Sequence, residues 1–492
     1  MKQILSISLL TVIFSTSLLA QKPINRLTYN EVLQLAKDQS PQAILAKHRF
    51  RAAYWQYRTY VAELRPNLTL TGTIPQFSRS LIRYQNPDGS YTYIEENSNT
   101  TSLGLSLSQN IGLTGGQIFA RSNLERTDLL GTNKTTSYMS VPVSIGFSQP
   151  LFAMNQLKWS KRIEPLKYEE AKRAFIQSME TISMEATRLF FDLAMAQQNF
   201  ETAKLNYSNT DTLYKIAQGR YNIGTIAENE LLQMELSFLN AGTALSEAEV
   251  DLQLKKIRLK SYLGLNDNYD LEIVLPDSIP SFDLEFDSVL ALAKENNPQI
   301  LSYQRQLLEA DRDVAQARAE RGLNANLFAT FGLTQRATDL KDVYVDPQDQ
   351  QTVRVGITVP ILDWGLGRGK VKMAQSNREV VRTTVDQALT DFEQDVFLKV
   401  MQFNRQDDQV QIAQKADLVS QNRYEVTKQR FLIGKIDVLT LNVAQTERDQ
   451  AKQKYINTLS SFWQYYYQMR RLTLYDFEKN QPITTDFELL LR

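Results

Sequence analysis

The sequence predicts an internally duplicated α+β membrane protein, in which long coiled-coil helical hairpins carry β-strands that close into a barrel only when several copies pool them. Three observations predict it: an apolar heptad seam that occurs twice in one register, strands that alternate apolar residues with serine, threonine and glycine, and a chain that matches itself along most of its length. Composition narrows the chemistry further. Its 492 residues are 42% hydrophobic and 22% charged, enough apolar material for a sizeable core. Lysine plus arginine (55) balances aspartate plus glutamate (55), so no net basic field exists to hold a phosphate backbone, and no nucleic-acid partner is expected. The absence of cysteine excludes disulfides, thiolate nucleophiles and Cys-ligated metals, and the one histidine, His48, excludes a multi-histidine metal site. No cofactor is implied, and the chain is not expected to be an enzyme.

At the N-terminus, Met1-Lys2-Gln3 and an apolar run from Ile4 to Ala20 precede the polar Gln21-Lys22-Pro23. This is the pattern of a secretory signal peptide over residues 1–20, cut after Ala20. The remainder divides into a first repeat, 21–282, and a second, 283–492. Leu35-Ala36-Lys37 with Pro41-Gln42 recurs 257 residues later as Leu292-Ala293-Lys294 with Pro298-Gln299, opening each half with a helix. Further along, Arg220-Tyr221-Asn222-Ile223-Gly224-Thr225-Ile226 matches Arg430-Phe431-Leu432-Ile433-Gly434-Lys435-Ile436 at an offset of 210. The first half therefore carries about 47 extra residues before its long helix.

Strands are expected over 66–152 and 323–362. Val353, Val355, Ile357 and Val359 share one face and Thr352, Arg354, Gly356 and Thr358 the other, and Leu103, Leu105 and Leu107 alternate with serine and glycine in the same way. Such strands suit a wall with lipid outside and water inside. Long helical hairpins are expected over 163–263 and 371–472, led by helices from about Pro165 to Tyr221 and Lys372 to Phe431. Phe175, Met179, Ile182, Ala186, Leu189, Leu193 and Ala196 make a 4-3-4-3 seam, and Val385, Leu389, Phe392 and Val396 repeat it. Each such helix would be roughly 85 to 90 Å long. A plain helical bundle would explain the seams alone; the attached strands favour the barrel.

The order of these motifs resembles the TolC-type outer membrane efflux proteins, and the likeness covers nearly all of the chain after the signal. It rests on the twice-used opening with Pro41 and Pro298, the strand ends Gln149-Pro150-Leu151-Phe152 and Val359-Pro360-Ile361-Leu362, the tips at Gly224 and Gly434, and the turn Gly365-Leu366-Gly367-Arg368-Gly369. The resemblance implies a homotrimer in the outer-membrane lipid, its pooled strands forming one barrel and its helices a periplasmic tunnel. It implies an exit duct of a tripartite efflux or type I secretion system, joined to an inner-membrane pump through a periplasmic adaptor and passing small molecules or polypeptides. The alternative is the periplasmic coiled-coil adaptor itself, which normally has one hairpin rather than two.

Two departures from the family pattern stand out. The family usually has two strands per half, twelve per trimer. Here Asn110-Ile111-Gly112-Leu113-Thr114-Gly115-Gly116 reads as a tight turn into a further hairpin, about Gln117 to Leu130 and Ser137 to Phe152. Its strands either join the barrel or form a separate ribbon. At the periplasmic mouth, where the resemblance implies a gate with a tyrosine, a basic and acidic residues, Phe431 replaces the tyrosine, and Lys435 and Asp437 are the nearest charges. Three copies of Asp437 would make an anionic ring; otherwise it is a solvated carboxylate at a helix start. Candidate adaptor contacts are Arg220, Tyr221, Gly224, Arg430, Phe431 and Gly434. Arg354 is the lumen-facing candidate, with a salt bridge at the rim as the other reading.

Overall fold

A computed structural model describes residues 24–130, 134–265, 270–276 and 278–491. The expected signal peptide lies outside the described residues. The chain divides into two compact units, one gathering described residues up to 45 with 179–283 and 402–468, the other 46–178, 284–401 and the remainder.

The elements run β1 (Ile24–Thr28), α1 (Tyr29–Gln39), α2 (Pro41–Glu63), β2 (Asn67–Gln85), β3 (Tyr91–Asn110), β4 (Gln117–Leu129), β5 (Thr135–Leu151), α3 (Gln156–Asn222) and α4 (Glu228–Leu263). They continue as β6 (Asp270–Val274), α5 (Phe286–Asn296), α6 (Pro298–Arg321), β7 (Asn324–Ala337), β8 (Gln348–Thr358), α7 (Leu366–Asn404), α8 (Gln406–Leu432) and α9 (Val438–Thr473). The duplicated opening folds twice as helix, break, helix. Ser40 and Asn297, each before a proline, take extended backbone angles, because a following proline ring clashes with a helical neighbour. Each expected single helix is thereby two, and Pro41 and Pro298 begin the second, where a missing N–H costs nothing.

The long helices differ from expectation at two points. α3 starts at Gln156, ahead of Pro165, because Asn155 Oδ1 accepts from the Lys158 N–H at 3.1 Å and caps it. Instead of one helix from Lys372 to Phe431, the chain breaks at Arg405. There the Gln406 amide turns back to the Gln402 carbonyl (3.0 Å), and Asp407 accepts from the Ser281 hydroxyl (2.8 Å) at the favourable N-terminal end of α8.

In the unit containing the hairpin tips, β1 lies parallel to β6, a pairing the sequence did not disclose. Tyr29 packs on Trp463 (centroids 4.7 Å) and Phe190 (5.2 Å), and its hydroxyl shares a hydrogen bond with Thr187 at 2.9 Å. Trp463, Tyr466 and Tyr467 are thus core residues. Farther along, buried Arg448 stacks 4.1 Å from the Tyr424 ring centroid, donates to Asn206 Oδ1 at 2.8 Å and pairs with the Asp449 carboxylate at 2.6 Å, which together satisfy a charge taken out of water. Burial raises the Tyr424 phenol above its ordinary value.

In the other unit, one antiparallel sheet has the order β2-β3-β4-β5-β7-β8. Both strands of the first-half insertion belong to it, so the insertion extends that sheet and is not a separate ribbon. Aromatic packing of Phe50 against Phe175 (5.7 Å) and Phe487 (5.0 Å) forms part of that unit's core.

Candidate functional site

Two places combine exposure with specific chemistry: the pair of hairpin tips and the polar face of the sheet. At each tip the chain reverses through the same turn. The Gly224 N–H donates to the Tyr221 carbonyl (2.9 Å) and the Thr225 N–H to that of Arg220 (2.9 Å); the Gly434 N–H donates to Phe431 (2.9 Å) and the Lys435 N–H to Arg430 (3.0 Å). Gly224 and Gly434 take φ of 77° and 74°, the left-handed region that glycine enters without a Cβ clash.

The side chains diverge from this common backbone. Phe431 is 5% exposed, packed with Leu213, Met234, Tyr424 and Leu441 in the core beneath the tips, so it does not present its ring at the surface. Tyr221, its counterpart, is 40% exposed. The Arg220 guanidinium donates to the Leu432 carbonyl at 3.1 Å and lies 5.7 Å from the Phe431 ring centroid, so it ties one tip to the other. Arg430 and Lys435 are exposed. Asp437 Oδ1 accepts from the Thr440 N–H at 2.9 Å and caps α9, and the hydrogen bonds from Thr440 hold its carboxyl below the usual carboxylate range. Between the tips lies an open cleft of about 880 Å³, with Ile226 and Phe431 on its apolar side and Arg220, Glu230, Lys435 and Asp437 as its charges.

On the sheet, strand pairing sorts residues onto two faces. Leu70 pairs with Leu105, Ile145 with Phe331 and Leu327 with Val355, while Thr71 pairs with Gly104 and Phe328 with Arg354 on the opposite face. Arg354 therefore lies on the polar face, its guanidinium 5.7 Å from the Phe328 ring centroid. Three residues the sequence reading passed over join it there. Phe119 stacks on Phe328 (5.8 Å), and Arg121 lies 4.0 Å from the Phe119 ring. The Phe119 ring closes on Gly146, where a Cβ would come within 2.3 Å of the ring, so only glycine admits it. The available signal was an aromatic and an arginine two apart on a strand otherwise polar on that face.

Among the described residues no helix is long and apolar enough to cross a membrane, and no group of three or more His, Cys, Asp or Glu is placed to hold a metal ion. The arrangement offers a two-faced sheet and a charged cleft beside the hairpin tips.

The profile of the outer membrane efflux protein family matches residues 113–265 and 289–473. The chain belongs to the outer membrane efflux protein family. No curated protein matches it. Among solved structures, the Campylobacter jejuni CmeC outer membrane channel is 18% identical with a TM-score of 0.66, covering 94% of this chain and 88% of that one. The Vibrio cholerae outer membrane protein VceC is 14% identical with a TM-score of 0.62, covering 93% and 97%. The Neisseria gonorrhoeae MtrE outer membrane channel, solved in an open state, is 14% identical with a TM-score of 0.59, covering 90% and 88%. These likenesses carry the fold; the family match carries the function. This efflux protein is an outer-membrane duct, and the adaptor reading is set aside.

Proposed function

We propose that this efflux protein works as a homotrimer, its strands in the outer membrane and its hairpins in the periplasm, receiving cargo from an inner-membrane pump through an adaptor that seats on the hairpin tips. The observation that carries the reading is the two-faced sheet. Exposed Leu70, Leu105, Val355 and Ile357 share a face that water does not favour, and the backbone groups along both sheet edges need partners that a bilayer cannot supply. The strand ends that adjoin helices face the periplasm, and the turn at Asn86–Gly89 faces outward. The duct makes and breaks no covalent bond; the pump supplies the energy.

The tips supply two functions. The cleft beside Arg220, Glu230 and Phe431 suits an adaptor segment with apolar residues and both charge signs. Three copies of Asp437, kept ionised by its capping bonds, with Lys435 beside it, would set the charge at the mouth. Arg354 and Arg121 on the polar face would line the lumen.

The test is to extract the mature protein from outer membranes, measure its mass in detergent and reconstitute it in planar bilayers. Three copies per particle, stepwise conductance and a lowered cation preference in Asp437→Asn support the reading. A monomer released without detergent overturns it.

A further inference from the structure

The family pattern leads one to expect four strands from each copy and a twelve-stranded barrel. Here the sheet holds six strands, each hydrogen-bonded to the next in the order β2-β3-β4-β5-β7-β8. The additional turn between β3 and β4 is anchored to the helix–strand junctions. Gln109 Nε2 donates to the Leu64 carbonyl (2.7 Å), Gln149 Nε2 to that of Thr114 (2.9 Å), and Asn155 Nδ2 to those of Gly112 and Leu113 (both 3.0 Å). Those bonds fix β3 and β4 at the level where the other strands meet their helices. β4 has no free edge either, because Ser98–Asn110 of β3 occupies one side and β5 the other. Closure through β4 would therefore require breaking an existing ladder.

The free edges are β2 and β8. They run in opposite directions, since β2 leaves a helix and β8 leads into one, so an antiparallel ladder between them continues the alternation of the sheet. Aligning their helix-side ends, Asn67 with Thr358, sets Leu68 opposite Ile357 and Leu70 opposite Val355, apolar against apolar on the face that already runs across the sheet. The same alignment sets Thr71 opposite Arg354 on the polar face. Six strands are too few to close on themselves, because single-chain membrane barrels begin at about eight. The partner that fits each edge is a second copy.

We infer that β2 of one copy pairs with β8 of the next, so that three copies close an eighteen-stranded barrel; this rests on the trimeric reading above. At a strand spacing of about 4.8 Å and a tilt of about 40°, eighteen strands give a backbone diameter of about 35 Å, against about 24 Å for twelve. A barrel of that size leaves an aqueous channel.

The natural absence of cysteine makes cross-linking the direct test. Leu70→Cys with Val355→Cys in one chain, oxidised in membranes, is expected to give covalent dimers and trimers, and either substitution alone none. Ser122→Cys on β4 with Val355→Cys is expected to give none. Linkage through Ser122→Cys but not Leu70→Cys, in particles of three-copy mass, would falsify the eighteen-strand barrel and leave the exit-duct reading intact. A two-copy mass with the Leu70→Cys link would overturn the trimer while leaving the edge pairing. Electron cryomicroscopy of the unsubstituted protein in detergent decides independently of folding effects in the variants: a ring about 35 Å across supports the inference, and one about 24 Å across overturns it.

Discussion

At residues 220–226 and 430–436 the same heptapeptide pattern builds the same turn, yet the two tips use its side chains differently. Tyr221 projects outward while Phe431 is buried; Arg220 bonds across to the Leu432 carbonyl while Arg430 is exposed. The helix after the second tip is capped by Asp437, whereas Ala227 before α4 has no side chain able to cap. A local sequence of seven residues thus fixes a backbone, and the neighbours decide which copy of each side chain becomes core. The second tip is the keystone of the pair, and the first offers the more adaptable surface.

The largest expected break in that comparison is at the aromatic pair. Phe431→Ala is expected to destabilise the tips by about 3 kcal/mol through the cavity it leaves, and Tyr221→Ala by no more than about 0.5 kcal/mol. Hydrogen exchange of the tip amides in detergent reads the difference; equal effects would mean that the burial of Phe431 contributes nothing. Next in size, Gly224→Ala and Gly434→Ala are each expected to cost about 1 kcal/mol, because both glycines sit at positive φ and neither has a close neighbour that a methyl would strike. Here the two tips should match, and a several-fold disparity in exchange would show that the shared turn is not carrying equal strain.

The smallest effect belongs to the cap. Asp437→Ala should speed exchange at Val438 to Thr440 a few-fold, while Ala227→Asp should slow it at the start of α4, narrowing the difference between tips. The pH dependence follows from the direction of the shift. A carboxyl held below its ordinary range in the folded state contributes stability that is full above its unfolded pKa and is lost as pH falls through the folded value. The protection that Asp437 gives the second tip should therefore hold steady around neutral pH and be lost in strong acid, with no such cap at the first.

Much of this was legible in the sequence because it is local. Glycine within the repeated Arg-aromatic-x-Ile-Gly pattern predicts the turns, and alternation places Arg354 on the face opposite Val353 and Val355; the breaks before Pro41 and Pro298 were not anticipated, although the prolines that cause them were in view. The heptad seam gives the long helices without the stop at Arg405, since Gln406 and Asp407 act through bonds to Gln402 and Ser281 rather than through any loss of periodicity. Phe119 was passed over for a similar reason: its place depends on Gly146 and Phe328, which reach it only through strand pairing.

The sequence by itself determined the strand regions of the large sheet, the long helical stretches, where the hairpins turn and which strand face is apolar, because each follows from spacing within a few residues; it did not give β1, β6 or the stop at Arg405. Only the tertiary structure decided that β5 lies beside β7, that β1 pairs with β6, that all six strands form one sheet and that Phe431 is core. Backbone hydrogen bonds between strands are chemically alike whichever residues make them, so the choice of neighbour rests on the packing of the whole chain.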